Sequence, residues 1–533
     1  MTGVSSPPSP TPAAGPLRSD APFLWCISGA YAGLIVLLTL TIGAYFALGW
    51  DVKTFIAAGW SLLDWRDPFG LFAQSRAAFY WPYAYPPLHA IFVAFFLPLH
   101  SLAPAIPESV LARMPVLLAD LGLTILLYWK TSEVTGQRRL ARLAAIAWLF
   151  NPVTIYQTAA QAHFESEWVL LVLLAYCLAP ALESPARHTG LRRLALSTVC
   201  LAAAILVKQV AILYAMPYWV YLAFNGRWRQ AIISGLGAGA IVALVCLPFA
   251  LRSPDFLYMV TGYVAEMPVQ TQSALVWLLL LKGQLVNSHS SSIVLLRYAT
   301  PVVAVLSGLV SLLAIWRRRD LFQTGVLVTL VFFLFSSKVM GYYYAILTPF
   351  LLLVLLPRER IRLVTATLAV TSWILLSPYY ATWAAPENVW LYAAMGTANS
   401  AFFIWLGWQV WRIGPGRAGR AAVPVNGGDG SLLAIVSALA FTIVVSMLAQ
   451  PAHAVAWVAG RQDLSELLAA GVLLPATLAV VYAVTRLLGR LVAPAPGIWP
   501  LLAATLYFPL AFLQFYVGRE STRVLESLLK LLS

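Results

Sequence analysis

The sequence predicts an all-α polytopic membrane protein of about fifteen spans, each needing roughly 20 apolar residues to cross a bilayer. Three observations carry this. The chain of 533 residues is 61% hydrophobic and 10% charged, with a mean hydropathy of +0.81, more apolar surface than a soluble fold can cover. Its apolar runs are separated by short polar turns. The basic excess, 34 − 20 = 14, gathers in alternate turns, as cytoplasmic loops do, and not in a groove for nucleic acid.

Residues 1–22 are rich in Pro, Ser and Thr and are expected to form a disordered cytoplasmic tail. The first span, about 23–49, is too long for a signal-peptide core and lacks a short charged lead, so it reads as retained. With the N-terminus inside, it delivers Asp51 to the outer face. The stretch 51–88 holds Asp51, Asp64 and Asp67 among Trp60, Trp65, Tyr80, Trp81, Tyr83 and Tyr85. It is expected to be a large outer loop lying on the membrane, its aromatics forming an interfacial belt. Asp67-Pro68 is a turn signal. Residues 86–102, interrupted by Pro98 and His100, read as a re-entrant or surface segment.

A span at about 109–129 leads to the basic inner loop KTSEVTGQRRLAR. The next, about 141–157, exits to the short outer loop QTAAQAHFESEW, and the one at about 167–182 returns to ESPARHTGLRR. Residues 194–224 are too short for two full spans, yet the following NGRWRQ is basic and belongs inside. Two short helices meeting near Lys208-Gln209 reconcile both facts. Broken helices occur in membranes where the backbone is buried in protein or lines a wet cavity.

A span at about 231–250 precedes a long outer loop from Arg252 to Ser273, and 274–286 reads as a second re-entrant segment. If it crossed, Arg317, Arg318 and Arg319 would fall outside. Five more spans have RRRD, PRERIR and RIGPGR at inner turns and SSKVMG and YYATWAAPEN at outer ones, completing a core over 23–411. Residues 412–430 are Gly/Pro-rich, a flexible cytoplasmic linker. The segment 431–533 adds three spans and an interfacial helix with Val524, Leu525, Leu528, Leu529 and Leu532 on one face. No fixed-period repeat is present. Cys26, Cys177, Cys200 and Cys246 lie in apolar runs without metal-ligand spacing, so buried thiols, no disulfide and no metal site are expected.

Polar groups near membrane spans are costly and mark function by default. Here Asp51, Asp64, Asp67, His163, Glu165, Lys208, Arg252, Glu266 and Lys338 gather on the outer side. Carboxylates suit abstraction of a hydroxyl proton, and cations suit a phosphate gaining charge as it leaves. The same set can line a transport path. Most of them also have a plainer reading: Asp51 as a solvated interfacial carboxylate, Asp64 and Asp67 as loop residues, His163 and Glu165 as the entry to a span, Lys338 as a snorkelling side chain, Arg252 as a span-end anchor.

Four stretches carry a family resemblance. They are Asp51 with FIAAGWSLLDWRDPFG and YAYPPL; WLFNPVTIYQTAAQAHFESEW; Lys208 in ILVKQVAILYAMP; and SSKVMGYYYAILTPFLLL. In this order and spacing the chain resembles the glycosyltransferase C superfamily. Within it the chain is similar to bacterial polyprenol-phosphate-mannose-dependent alpha-mannosyltransferases and to GPI mannosyltransferase I. The resemblance spans roughly 23–411. It departs where His163 and Glu165 stand for the family's frequent Gly and Asp, and where Asp51 is followed by Val52 and Lys53, not a second acid.

The resemblance implies a polyprenyl-phosphate sugar donor, with mannose as the sugar, and a glycan or glycolipid acceptor. It implies a single inverting displacement on the outer, periplasmic face of a bacterial plasma membrane. Asp51 would be the base. Lys338, Lys208 and Arg252 would bind the donor phosphate, and His163, Glu165 and Tyr343 the substrates. Membrane lipids surround the site, and neither a cofactor nor nucleic acid is implied. The rival from another class is a secondary transporter or lipid-linked sugar flippase, which should show internal repeats and balanced halves. A third reading, a non-catalytic assembly subunit, would tolerate loss of Asp51.

Overall fold

The computed structural model describes residues 20–41, 50–70, 83–179, 187–263, 269–282, 296, 298–376 and 389–414. The tail before residue 20, most of the linker and the three-span C-terminal segment lie outside the described residues, as do Tyr80, Trp81 and Glu266.

The described chain is helical, joined by turns. In order the main helices are α1 (Ala21–Thr41), α2 (Trp50–Leu63), α3 (Leu88–Phe96), α4 (Met114–Thr135), α5 (Arg138–Leu149), α6 (Glu165–Cys177), α7 (Arg187–Val207) and α8 (Ile212–Phe224). They continue with α9 (Trp228–Arg252), α10 (Val276–Leu281), α11 (Ala299–Trp316), α12 (Leu321–Phe335), α13 (Leu347–Leu355), α14 (Ile361–Leu376) and α15 (Val389–Arg412).

Among the described residues five helical stretches are long and apolar enough to cross a membrane: Glu108–Thr135, Gly190–Val207, Trp228–Arg252, Ala299–Trp316 and Gly341–Arg358. Their burial separates centre from edge. The Gly341–Arg358 stretch is 83% buried and the Trp228–Arg252 stretch 11%, although both are apolar. An apolar helix that turns its side chains away from the protein faces lipid, because lipid tails satisfy it as well as a core does. Helix α6 packs on α4 and α7, α7 on α9, and α11 on α8 and α12. Trp148 and Trp168 are fully buried among them.

Local sequence explains the helix ends. Asp320 caps α12, its carboxylate accepting from the Gln323 backbone N–H at 2.7 Å while Gln323 bonds back to Asp320. Asn151-Pro152 interrupts the run after α5, and the Asn151 amide donates to Thr348 at 3.0 Å, tying the kink to α13. The run 194–224 breaks at Lys208, whose backbone is extended (φ −150°, ψ 126°) before a 3₁₀ turn at Gln209–Ala211. The break falls where the two conflicting constraints of the sequence required it.

Several expectations change. The stretch predicted as a surface loop from residue 51 opens with α2, because Val52, Phe55, Ile56, Gly59, Leu62 and Leu63 recur at helical spacing. QTAAQAHFESEW is not a solvated loop: His163, Glu165, Ser166 and Glu167 are all buried. The segment 274–286 contributes the short helix α10. All four cysteines are free, but Cys26 is exposed on α1 and the others are half-buried.

The end of the molecule holding Asp20 and the α4–α5 turn has charged groups near its surface. Arg142 pairs with Asp20 at 2.9 Å, Lys130 with Glu133 at 2.7 Å, and Arg358 with Asp320 at 3.4 Å.

Candidate active site at the Asp51 end

Asp51 sits in the first turn of α2, half-buried. A carboxylate there is favoured by the unpaired N–H groups of the helix start. Its charge acts on Lys338, Lys208 and His163, so all three lie within electrostatic reach of it.

The centre of the site is the entry to α6. A π-helical turn at Tyr156–Gln161 ends on Ala162 in the left-handed region (φ 50°), a conformation that costs a non-glycine residue of order 1 kcal/mol. The buried Arg113 guanidinium holds this turn, its Nε donating to the carbonyls of Thr158 at 3.1 Å and Ala159 at 2.9 Å. The turn delivers His163, Phe164 and Glu165 inward.

From there Glu165, Ser166 and Glu167 splay away from the helix axis, each to a different neighbouring segment. Glu165 Oε1 accepts from Lys208 Nζ at 2.5 Å, reaching the broken helix. Ser166 donates to Asp120 of α4 at 2.5 Å. Glu167 lies 3.0 Å from His89 Nδ1 on α3. Successive residues on a helix point about 100° apart, which is why one turn can reach three neighbours.

Glu165 is fully engaged. Its Oε2 accepts from Trp168 Nε1 at 2.7 Å, and His163 Nδ1 lies 3.1 Å from Oε1 at an angle too poor for a hydrogen bond. The side chain expected to touch a substrate hydroxyl is therefore the counter-ion of Lys208. Lys208 is itself buried, with its ammonium 4.1 Å from the Tyr343 ring centre and 5.3 Å from that of Phe164. These faces supply cation–π attraction where water is excluded.

His163 stacks on Tyr342 with ring centres 4.1 Å apart and meets Tyr85 Oη through Nε2 at 3.4 Å. Burial first, then the nearby Lys208 charge, push its imidazole below its usual range, so it is neutral near pH 7.

Lys338 lies on the turn between α12 and the 3₁₀ turn Gly341–Ile346. A parallel bridge to Gln270 pins this turn: Gln270 N–H donates to Ser337 O at 3.0 Å, and Val339 N–H to Gln270 O at 3.1 Å. Lys338 keeps part of its side chain exposed, yet surrounding protein brings its ammonium down to about 8, against the opposing pull of Asp51.

The structure thus gathers Asp51, His163, Glu165, Lys208, Lys338 and Tyr343. Arg252 ends α9 with its side chain exposed, and no ion pair or hydrogen bond among the described residues joins it to the others. Asp64 is exposed beside Arg66, 3.9 Å away, and Asp67 accepts from the Phe69 N–H at 2.9 Å in the turn that Pro68 announced.

Sequence reasoning missed Asp120, Arg113, His89 and Glu167. Asp120 accepts from Tyr31, Thr158 and Ser166, three hydroxyls within 2.6 Å, with no cation among these contacts. Its signal was present, an acid in the middle of the apolar run PVLLADLGLTILL.

Fold and site together define a helical integral membrane protein with buried and half-buried carboxylates, lysines and aromatic rings at one end. The sequence model of glycosyltransferase family 87 matches residues 83–337. That segment contains His163, Glu165, Lys208 and Arg252. Asp51 precedes it, and Lys338 and Tyr343 follow it. No protein of curated function matches the chain. Among solved structures the chain is similar to ArnT from Cupriavidus metallidurans in the apo state, at 14% identity over 92% of this chain and 78% of that one, TM-score 0.43. ArnT from the same organism bound to undecaprenyl phosphate is similar at 15% identity over 71% of this chain and 77% of that one, TM-score 0.37.

Proposed function

We propose that this protein is a membrane glycosyltransferase that moves mannose from a polyprenyl-phosphate donor to a hydroxyl of a lipid-linked or cell-envelope glycan, with inversion. The observation that carries the reading is the buried Lys208–Glu165 pair, set against the Tyr343 ring where the Asp51 charge acts on both Lys208 and Lys338. The family 87 match over 83–337 supports the reaction class. In this reading the catalytic core is of the glycosyltransferase C type within about fifteen spans. Its site faces the periplasmic side of a bacterial plasma membrane.

The chemistry asks for two things. A phosphate monoester is already stable as an anion, so its departure needs cations more than a general acid. The attacking hydroxyl needs a base on the opposite face of the sugar. Asp51 takes the hydroxyl proton as the oxygen attacks the anomeric carbon, while the bond from that carbon to the phosphate oxygen breaks and the electron pair leaves with the phosphate. Lys338 receives the leaving phosphate. Lys208, neutralised by Glu165, holds the aromatic wall and contributes charge at longer range. Tyr343 and His163 line the sugar side. Arg252 is given no step. The donor is a substrate, and the lysines fill the role a divalent cofactor plays elsewhere. Holding both reactants in line contributes on the order of 7–11 kcal/mol in well-oriented cases.

The test is transfer from labelled polyprenyl-phosphate-mannose in membranes, with wild type beside Asp51→Asn. Wild type is expected to yield a mannosylated product. The substitution keeps the shape and removes the base, so kcat is expected to fall at least about 100-fold with donor binding retained. A folded Asp51→Asn protein as active as wild type overturns the assignment of the base. Absence of transfer from any polyprenyl-phosphate sugar overturns the reaction.

A further inference from the structure

Asp51 is a half-buried acid in the first turn of α2, so where its carboxylate points depends on how that helix is set. The aim comes from the helix that carries it. Residues 51, 55 and 59 lie on one face of α2, each about 6 Å further along the axis. That face is packed on α3. Phe55 stands edge-on to His89, with ring centres 4.8 Å apart and planes at 83°. Gly59 lets the backbones close: a Cβ there would lie 2.7 Å from Leu97 Cδ1 and 3.1 Å from Val93 Cγ1. The pairs 55/89 and 59/93 share one offset, so the two helices run in the same direction with matched four-residue ridges. The same offset brings Asp51 level with Tyr85, on which its charge acts.

His89 is the fixed point of this register. It is completely buried on an otherwise apolar face, where a polar ring is costly unless it is held. Glu167 holds it, with His89 Nδ1 at 3.0 and 3.1 Å from its two oxygens. Phe164 covers the ring at 4.2 Å. His89 Nε2 makes no hydrogen bond among the described residues, so the pair with Glu167 fixes the orientation of the ring. Phe55 in turn touches His163 and Phe164, with ring centres at 5.9 and 5.4 Å. One ring therefore contacts both the α3 lock and the α6 entry, one turn away from Asp51.

We infer that His89 and Glu167 are positioning residues that, through Phe55, set the rotation of α2 and so the approach of Asp51 to the site. The inference rests on Asp51 being the base of the proposed transfer. It assigns His89 and Glu167 no contact with substrate. They act on the geometry of proton removal, hence on kcat, and leave the donor phosphate site at Lys338 intact.

The experiment uses full-length protein and the polyprenyl-phosphate sugar that wild type accepts. His89→Asn, Glu167→Gln and Phe55→Leu are compared singly and in the Asp51→Asn background. Each single variant is expected to lower kcat at least tenfold while KM for the donor changes less than about threefold. In the Asp51→Asn background the same substitutions are expected to change the residual rate less than twofold, because there is no base left to aim. Phe55→Leu keeps the position apolar while removing the ring, and keeps the test open if the His89 variant fails to fold. Full additivity, with each substitution lowering the Asp51→Asn rate as much as the wild-type rate, would reduce the pair to a packing element and overturn the inference. So would folded variants within twofold of wild type. Those outcomes leave the transferase reading standing, whereas a wild type with no transfer removes that reading and this inference with it.

Discussion

Two ion pairs at opposite ends of the molecule look alike on paper and differ in surroundings. Lys208–Glu165 at the Asp51 end leaves 5% and 0% of its side chains exposed, while Lys130–Glu133 at the other leaves 22% and 50%. In water the second pair gains little, because solvent already stabilises each charge. The first has given up that solvation and is compensated by one short contact, an indole N–H and the faces of Tyr343 and Phe164. A buried pair is weak evidence for stability as such, since apolar side chains of the same volume often do as well. The proposed transfer gives that end a use for buried charge, since the Asp51 charge acts on Lys208 there.

Breaking the buried pair should show the contrast most strongly. Glu165→Gln leaves Lys208 buried without a counter-charge, and the expected loss is about 3–5 kcal/mol of stability, seen as a lower Tm in detergent. The double variant Glu165→Gln with Lys208→Met should recover most of that stability without recovering transfer. A Glu165→Gln protein that melts with wild type would place the pair in the same class as the exposed one.

Lys338 gives a smaller, graded effect. Burial brings its ammonium down to about 8, so the charged form prevails below that pH and is lost as pH rises through it. Donor affinity is expected to hold at pH 7 and to fall between about pH 8 and 9, measured as KM for the lipid donor. Lys338→Arg should move that fall to higher pH, because a guanidinium stays charged. A KM that is flat across this range removes Lys338 from the phosphate site.

The smallest effect belongs to the exposed end. Lys130→Gln is expected to change stability by about 0–1 kcal/mol and transfer not at all, read from Tm and initial rate. A large loss there would mean that the two ends are coupled in a way their contacts do not predict.

Much of the fold was legible. The alternation of apolar runs and basic turns encodes the helical membrane class, and the parity of the basic turns locates the break at Lys208. The stretch after Asp51 was harder to read. Its Trp and Tyr residues suggested a belt on the membrane, and the helical spacing of Val52, Phe55 and Leu62 was overlooked. QTAAQAHFESEW read as an outer loop because it is polar, but polarity cannot tell solvent from a buried network in which every acid has its own partner.

The sequence by itself determined the class of the protein, the positions of its breaks and the residue types able to do chemistry, because hydropathy and charge act locally along the chain. Only the tertiary structure decided which of those residues meet. It turned Glu165 inward to Lys208, brought Asp120 to Ser166 and His89 to Glu167, and left Arg252 exposed. Partners for a buried charge come from distant segments (43 residues apart for Glu165 and Lys208, 78 for His89 and Glu167), and no local pattern encodes such a pairing.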